Sequence, residues 1–263
     1  MRRHSALGAL LLGLMLMSAG SALAQSESEL TYAEYRAIAQ TAVQLKHCAM
    51  FEPLDGEVGM NLVVGDRFGK LNVFRMLPGD QRELVWTSRQ LVGAVMEVLV
   101  ADLDVDSLDD HLVCRTQRHV YVFKLGDFFQ AYETESGRYN DIRAFTVANV
   151  DNDPAAEIII NADNKLYYLD GANFSDEYTS LNDFQATRIR CGDVTGDGRN
   201  EIVLDTGQVV NASTGEVIWG DETFGPRLEL LDVDGDGILE VLTEGDGTPL
   251  KVWDIDFRQE KRF

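Results

Sequence analysis

The chain has 263 residues, a hydrophobic fraction of 45% and a formal charge of −21. That length allows one large β domain or two ordinary domains, and the apolar share supports a real core. Charge of this sign argues against nucleic acid and anionic membrane surfaces as partners, because their phosphates would be repelled; it suits cation binding or a plain solvated exterior.

The N-terminus reads as a targeting segment. "MRRHS" is basic, "ALGALLLGLMLM" is an apolar run of twelve residues, and "SALA" ends in an Ala-x-Ala site at Ala22-Leu23-Ala24. Such a run is short of the ~20 residues a membrane-spanning helix needs. The combination predicts a secretory signal peptide over residues 1–24, cleaved after Ala24. The mature chain then begins at Gln25, carries a charge of −23 after losing Arg2 and Arg3, and holds no second long apolar run. The expectation is a periplasmic or secreted protein with no membrane insertion after cleavage. Residues 25–41 form a separate N-terminal segment. In "TYAEYRAIAQT", Thr31 and Glu34 offer a capping box for a short helix, and the same stretch could instead supply a strand that completes the fold.

From residue 42 to the end the chain repeats itself. A worn first copy, "LDGEVGMNLVVGD", places Asp55 and Glu57 at positions 3 and 5 but Pro53 at position 1; it keeps a strand and loses the acidic pattern. Four clearer copies follow: "DLDVDSLDDHLV" from Asp102, "NVDNDPAAEIII" from Asn149, "DVTGDGRNEIVL" from Asp193 and "DVDGDGILEVL" from Asp232, spaced by 47, 44 and 39 residues. Each carries oxygen-bearing side chains at positions 1, 3, 5 and 9. These are Asp102, Asp104, Asp106 and Asp110; Asn149, Asp151, Asp153 and Glu157; Asp193, Thr195, Asp197 and Glu201; and Asp232, Asp234, Asp236 and Glu240. An alternating apolar strand precedes each loop, as at Val98 and Val100 or Ile189 and Cys191. A second strand follows, then a polar turn such as "ADNK" or "DTGQ", then a third strand and a looser fourth. Self-similarity at this period marks a repeat architecture. The predicted fold is all-β: a β-propeller of about five four-stranded blades over residues 42–263, with an ion-binding loop between strands 1 and 2 of the blades.

The loop chemistry points to a cation. Side chains at positions 1, 3 and 5 converge from one side of a tight turn, which Gly198 and Gly237 at position 6 permit. The carbonyl of position 7, Arg199 or Ile238, can turn inward, and the acid at position 9 closes the shell. Ca²⁺ accepts six to eight hard oxygens, whereas Mg²⁺ disfavours crowded all-protein cages.

These residues resemble the FG-GAP/VCBS repeats of integrin-α-type β-propellers, whose motif is DxDxDGxxD followed by a strand. The resemblance implies up to four Ca²⁺ ions, held by the four residue sets above together with the carbonyls of Arg199 and Ile238, and strongest in the 232–240 and 193–201 loops. There are departures: Thr195 removes one charge, Ser107 and Pro154 replace the turn glycine, and Glu stands for the usual final Asp in three loops. The Phe-Gly…Gly-Ala-Pro segment is not recognisable. A second stretch, "VVNASTGEVIW", resembles the outer-strand motif of pyrroloquinoline-quinone-type propeller repeats. It implies that Trp219, and similarly Trp86 and Trp253, dock one blade on the next; it implies packing rather than quinone chemistry.

Arg143, Arg188 and Arg227 lie five or six residues before position 1 in three consecutive repeats, at the far end of the first strand from the loops. They could hold an anionic group; the alternative is salt bridging to nearby acids. Cys48, Cys114 and Cys191 show no metal spacing, and His47, His111 and His119 form no HExxH-like pair. No catalytic constellation is legible. The sequence therefore favours a binding module for a protein or glycan partner. The alternative is a lectin-like or carbohydrate-active protein, polysaccharide lyases included.

Overall fold

The computed structural model describes residues 46–53, 59–79, 81–104, 108, 110–151, 153–220, 223–245, 247 and 249–261. The expected signal peptide, residues 25–41, Asp55, Glu57, Asp106 and Ser107 lie outside the described residues. Among the described residues every regular element is a strand, and no helix is long and apolar enough to cross a membrane.

The strands form five sheets, each of four antiparallel neighbours in chain order. Sheet 1 holds β1 (Cys48–Phe51), β2 (Met60–Gly65), β3 (Leu71–Leu77) and β4 (Gln81–Thr87). Sheet 2 holds β5 (Glu97–Ala101), β6 (His111–Arg115), β7 (Val120–Lys124) and β8 (Gln130–Glu133). Sheet 3 holds β9 (Ile142–Ala148), β10 (Glu157–Ala162), β11 (Lys165–Asp170) and β12 (Asp176–Thr179). Sheet 4 holds β13 (Ile189–Gly192), β14 (Glu201–Leu204), β15 (Val209–Asn211) and β16 (Val217–Trp219). Sheet 5 holds β17 (Arg227–Leu231), β18 (Glu240–Glu244), β19 (Lys251–Asp254) and β20 (Gln259–Lys261). The all-β class and the repeating four-stranded unit read from the sequence are present.

Period-two alternation explains how the sheets stack. In β10, Ile158 and Ile160 enter a core shared with sheet 2, while Ile159 between them enters a core shared with sheet 4. The same happens in β6, where Leu112 and Cys114 face sheet 1 and Val113 faces sheet 3. In β14, Ile202 and Leu204 face sheet 3 and Val203 faces sheet 5. A strand covered on both faces reads as a continuous apolar run, which is why "EIIINA" is buried throughout. Each fully buried Ile or Leu contributes about 1.5–3 kcal/mol. The first strands lie side by side in sequence order, β1 against β5, β5 against β9, β9 against β13 and β13 against β17.

Tryptophans sit in the seams. Trp86 stacks on Phe128 of sheet 2 at 4.7 Å between centroids. Trp219 meets Trp253 of sheet 5 edge-on at 6.1 Å. Among the described residues no buried cluster joins sheet 5 to sheet 1. The outer face of sheet 1 buries Cys48 and Leu62 on its own. The far face of sheet 5 borders a cavity of about 770 Å³ lined by Leu231, Leu242, Leu250, Val252 and Lys261 among others. All three cysteines are free thiols. Burial pushes Cys48 up to about 11 and raises Cys114 and Cys191 as well, so none is a ready thiolate at neutral pH.

Candidate metal centre at the repeated loops

Each acidic loop joins the first strand of its sheet to the second, and the same hydrogen bonds recur in the 149, 193 and 232 loops. At position 9 one carboxylate oxygen accepts from the backbone N–H of position 2: Glu157 from Val150 at 2.6 Å, Glu201 from Val194 at 3.2 Å and Glu240 from Val233 at 2.8 Å. At position 5 one oxygen accepts from the N–H of position 7: Asp153 from Ala155 at 2.7 Å, Asp197 from Arg199 at 2.9 Å and Asp236 from Ile238 at 2.8 Å. Asp193 and Asp232 at position 1 each accept from the N–H groups of positions 4 and 6. Those positions are Gly196, Gly198, Gly235 and Gly237, with φ of 74°, 81°, 81° and 91°, a left-handed backbone that favours glycine. The sequence reading explained glycine at position 6; the need at position 4 comes from the structure.

The loops are also tied to one another along one end of the molecule. Ala156 N–H donates to Leu103 O at 3.2 Å, and Leu239 N–H donates to Asp193 O at 2.9 Å. Asn200 Nδ2 donates to Asn149 O at 2.8 Å. Position 8 of one loop thus holds position 1 or 2 of the preceding loop. A cavity of about 400 Å³ opens between the 149 and 193 loops, lined by Asn149, Asp151, Arg199, Asn200 and Ser213 among others.

The four predicted ligand sets are not equivalent. Asp232, Asp234 and Asp236 bring carboxylate oxygens within 4.8 Å of one another. Asp151 and Asp153 gather with Glu177 from β12, and Asp104 and Asp110 gather with His111. Asp106, predicted with that last set, lies outside the described residues. His111 Nδ1 is 2.6 Å from Asp110 Oδ1. In the 193 loop, Thr195 stands where the other loops carry an acid, and among the described residues Asp193 and Asp197 gather no third acid. Glu177 carried no sequence signal, because it reaches the 149 loop through the fold of its sheet, whereas His111 simply follows Asp110 in the chain.

The 149 loop has the residues that could hold a cation. Glu157 is wholly buried; one oxygen is held by Val150, while Oε1 has no hydrogen-bond partner. Burial, opposed by the Val150 N–H and reinforced by the charges of Asp151 and Glu177, pushes its carboxyl up to about 7. In the 193 loop burial also pushes Glu201 up to about 7, opposed by hydrogen bonds from the Val194 N–H and the Thr195 side chain. A buried carboxylate with an unengaged oxygen could take a cation, and the donors around Glu157 are all oxygens. The other two loops hold a lysine ammonium. Lys261 Nζ is 2.7 Å from Asp234 Oδ2, 2.5 Å from Glu240 Oε1 and 3.5 Å from Asp254 Oδ2. Lys124 Nζ is 3.2 Å from Asp104 Oδ2.

At the opposite end, all three predicted arginines are paired with acids. Arg143 meets Asp141 at 3.2 Å in a half-buried pair, and Arg227 meets Glu244 at 2.9 Å with the arginine exposed. Arg188 is buried; its Nη1 donates to Glu229 at 3.2 Å and its Nε has no partner. Arg190 grips both oxygens of Glu229 at 2.8 Å. Lys46 donates to Thr187 O, joining the start of sheet 1 to the start of sheet 4. Arg115 binds Glu97 at 2.9 Å and the carbonyls of Ile142 and Arg143. The structure thus clusters Arg188 with Arg190, Glu229 and Lys46 rather than with Arg143 and Arg227. Arg190→Ala is expected to cost about 1–3 kcal/mol, because it frees a carboxylate and removes a bidentate pair that is partly buried. Arg227→Ala is expected to cost under about 0.5 kcal/mol. Urea unfolding of the two variants measures the contrast.

No protein-family model and no curated protein matches the chain. Solved structures do. The crystal structures of BBS1N in complex with ARL6DN, soaked with lead and with mercury, match with TM-scores of 0.57 and 0.56 at 13% identity. Each match covers 82% of this chain, and 67% and 64% of those chains. The V. cholerae biofilm matrix protein Bap1 matches with a TM-score of 0.51 at 16% identity, over 80% of this chain and 37% of Bap1. The chain thus spans about two thirds of BBS1N and little more than a third of Bap1. At these identities the likeness is one of fold, and the fold is all-β and propeller-like.

Proposed function

We propose that this chain is an exported Ca²⁺-binding β-propeller of five blades, akin to FG-GAP/VCBS repeats, that serves as a binding module for a protein or glycan partner. The observation that carries the reading is the recurrence of one hydrogen-bonded acidic loop in successive sheets, hydrogen-bonded from sheet to sheet along one end. Asp151, Asp153, Glu157 and Glu177 would hold one ion. Asp193, Asp197, Glu201, the Thr195 hydroxyl and the Arg199 carbonyl would hold another. A bound Ca²⁺ supplies the charge that lets these carboxylates stay ionised while packed together. The loops then stiffen, and the opposite end of the sheets is free to present a steady surface.

Two neighbours support a binding role: BBS1N is seen in complex with ARL6DN, and Bap1 is a biofilm matrix protein. The Ala22-Leu23-Ala24 site supports export, and the acidic charge of −21 suits cation binding.

Calorimetric titration of chelator-stripped protein tests the ion. Extracellular Ca²⁺ modules bind at ~10⁻⁴–10⁻³ M, so heat should saturate in the low millimolar range. A flat titration at that concentration would overturn the metal reading. Intact-mass analysis of exported protein should give a chain beginning at Gln25; a product retaining residues 1–24 removes the export reading. Affinity capture from an envelope extract, run beside a glycan array, separates a protein partner from a lectin-like role.

A further inference from the structure

In sheets 3 and 5 the fourth strand passes close to the acidic loop of the same sheet, and the two sheets use it in opposite ways. In sheet 3, β12 adds the carboxylate of Glu177 to Asp151 and Asp153. In sheet 5, β20 adds an ammonium. β20 pairs with β19 in the register Asp254↔Gln259, Trp253↔Glu260 and Val252↔Lys261. That pairing brings Lys261 Nζ to 2.7 Å from Asp234 Oδ2 and 2.5 Å from Glu240 Oε1, with Asp254 Oδ2 at 3.5 Å. The Lys261 side chain is 18% exposed, Glu240 3% and Asp254 8%. Glu240 spends its other oxygen on Val233 N–H. Asp234 and Glu240 are positions 3 and 9 of the loop, so the ammonium takes the oxygens that an ion in this loop would need. The corresponding oxygen in sheet 3, Glu157 Oε1, is buried with no hydrogen-bond partner.

We propose that Lys261 is the built-in cation of the 232–240 loop, so that this loop is closed by the chain itself and a divalent cation enters only by displacing the end of β20. The proposal rests on the Ca²⁺ reading of the repeated loops for its second half alone. The motif nearest the family pattern is then the one least dependent on metal, while the 149 and 193 loops carry the dependence. Ca²⁺ and the ammonium compete for the same two carboxylates, which couples ion binding at this loop to release of the C-terminal strand.

The test uses Lys261→Met, which keeps the stem and removes the charge, beside Lys261→Arg, which keeps the charge. In chelator, Lys261→Met should lower the melting temperature by on the order of 5 °C, and Lys261→Arg should restore most of it. In Ca²⁺, Lys261→Met should gain a site about tenfold tighter than any the wild type shows at this loop, identified by its loss on adding Glu240→Gln. Hydrogen exchange at residues 259–261 of the wild type should speed up as Ca²⁺ fills the loop. Equal melting of wild type and Lys261→Met in chelator overturns the proposal, as does an equal loss in Lys261→Arg, which would assign the effect to packing. Destabilisation of Lys261→Met in chelator, with no Ca²⁺ binding in either protein, supports the built-in cation and overturns the metal reading of the loops instead.

Discussion

Stripped of Ca²⁺, the protein should be more stable near pH 5 than near pH 8, and Ca²⁺ should abolish or reverse that order. Glu157 and Glu201 are 0% and 1% exposed, and burial pushes both carboxyls up to about 7. An unfolded glutamate titrates near 4.3, so the folded, metal-free chain binds protons that the unfolded chain has already lost. The sign follows. Stability from these two groups is fully present below the unfolded value and drains away as pH rises through about 7. At about 1.4 kcal/mol per pH unit, each carboxyl contributes up to about 3 kcal/mol to the slope. Under the proposed function Ca²⁺ would take the place of the proton and hold the ionised forms, so its effect should be largest at pH 7–8 and its affinity should fall as the solution is acidified. At roughly 1 mM Ca²⁺ mass action adds about 0.4–1.4 kcal/mol per site, and a chain of this size moves about 2–4 °C per kcal/mol. Chelator at pH 8 should therefore lower the melting temperature by several degrees, and Mg²⁺ should restore it poorly. Glu157→Gln with Glu201→Gln should flatten the pH dependence in chelator and weaken Ca²⁺ binding together. Thermal melts across pH 4.5–8, with and without Ca²⁺, decide the matter. A flat profile in chelator, or full rescue by Mg²⁺, removes these two glutamates from the proposed metal centre.

Trp219→Ala should cost about 3–5 kcal/mol and loosen sheet 5 before the rest of the molecule. Trp219 is 5% exposed and closes the seam between sheets 4 and 5 with Trp253, Phe224, Val203, Leu228 and Val241. Its indole Nε1 has no hydrogen-bond partner, so the loss is one of packing and cavity formation. Sheet 5 is the most exposed to that loss, because among the described residues no buried cluster holds its other face. Trp219→Phe should cost distinctly less, since it refills part of the space. Urea unfolding gives the magnitude, and hydrogen exchange gives the place: amides of 227–261 should exchange fastest in the variant. A loss under about 1 kcal/mol, or one spread evenly over all five sheets, would show that the seam is not held by this residue.

Much of the fold and of the loop pattern was legible in the sequence because it depends on chemistry local to each repeat. Alternation set the strands, and the oxygen spacing 1, 3, 5, 9 set loops whose internal hydrogen bonds run between residues two to seven apart. The glycines at position 6 announced their turns for the same reason. The five-fold repetition of a four-stranded unit followed from spacings of 47, 44 and 39 residues.

Only the tertiary structure decided what each loop meets. Glu177 reaches Asp151 and Asp153 from 24 or more positions away, and Lys261 reaches Glu240 across 21 positions because β18, β19 and β20 lie side by side. One strand brings a carboxylate and another an ammonium, a difference of two charges that no motif within the loops records. The arginines divide on the same ground: Arg188, Arg190 and Glu229 meet because β13 packs beside β17, while Arg143 and Arg227 stay with acids of their own sheets. Sequence determined the unit and its oxygen donors, since both are written in neighbouring residues. The partner of each donor was decided by strand pairing and sheet stacking, which join residues that the sequence holds far apart.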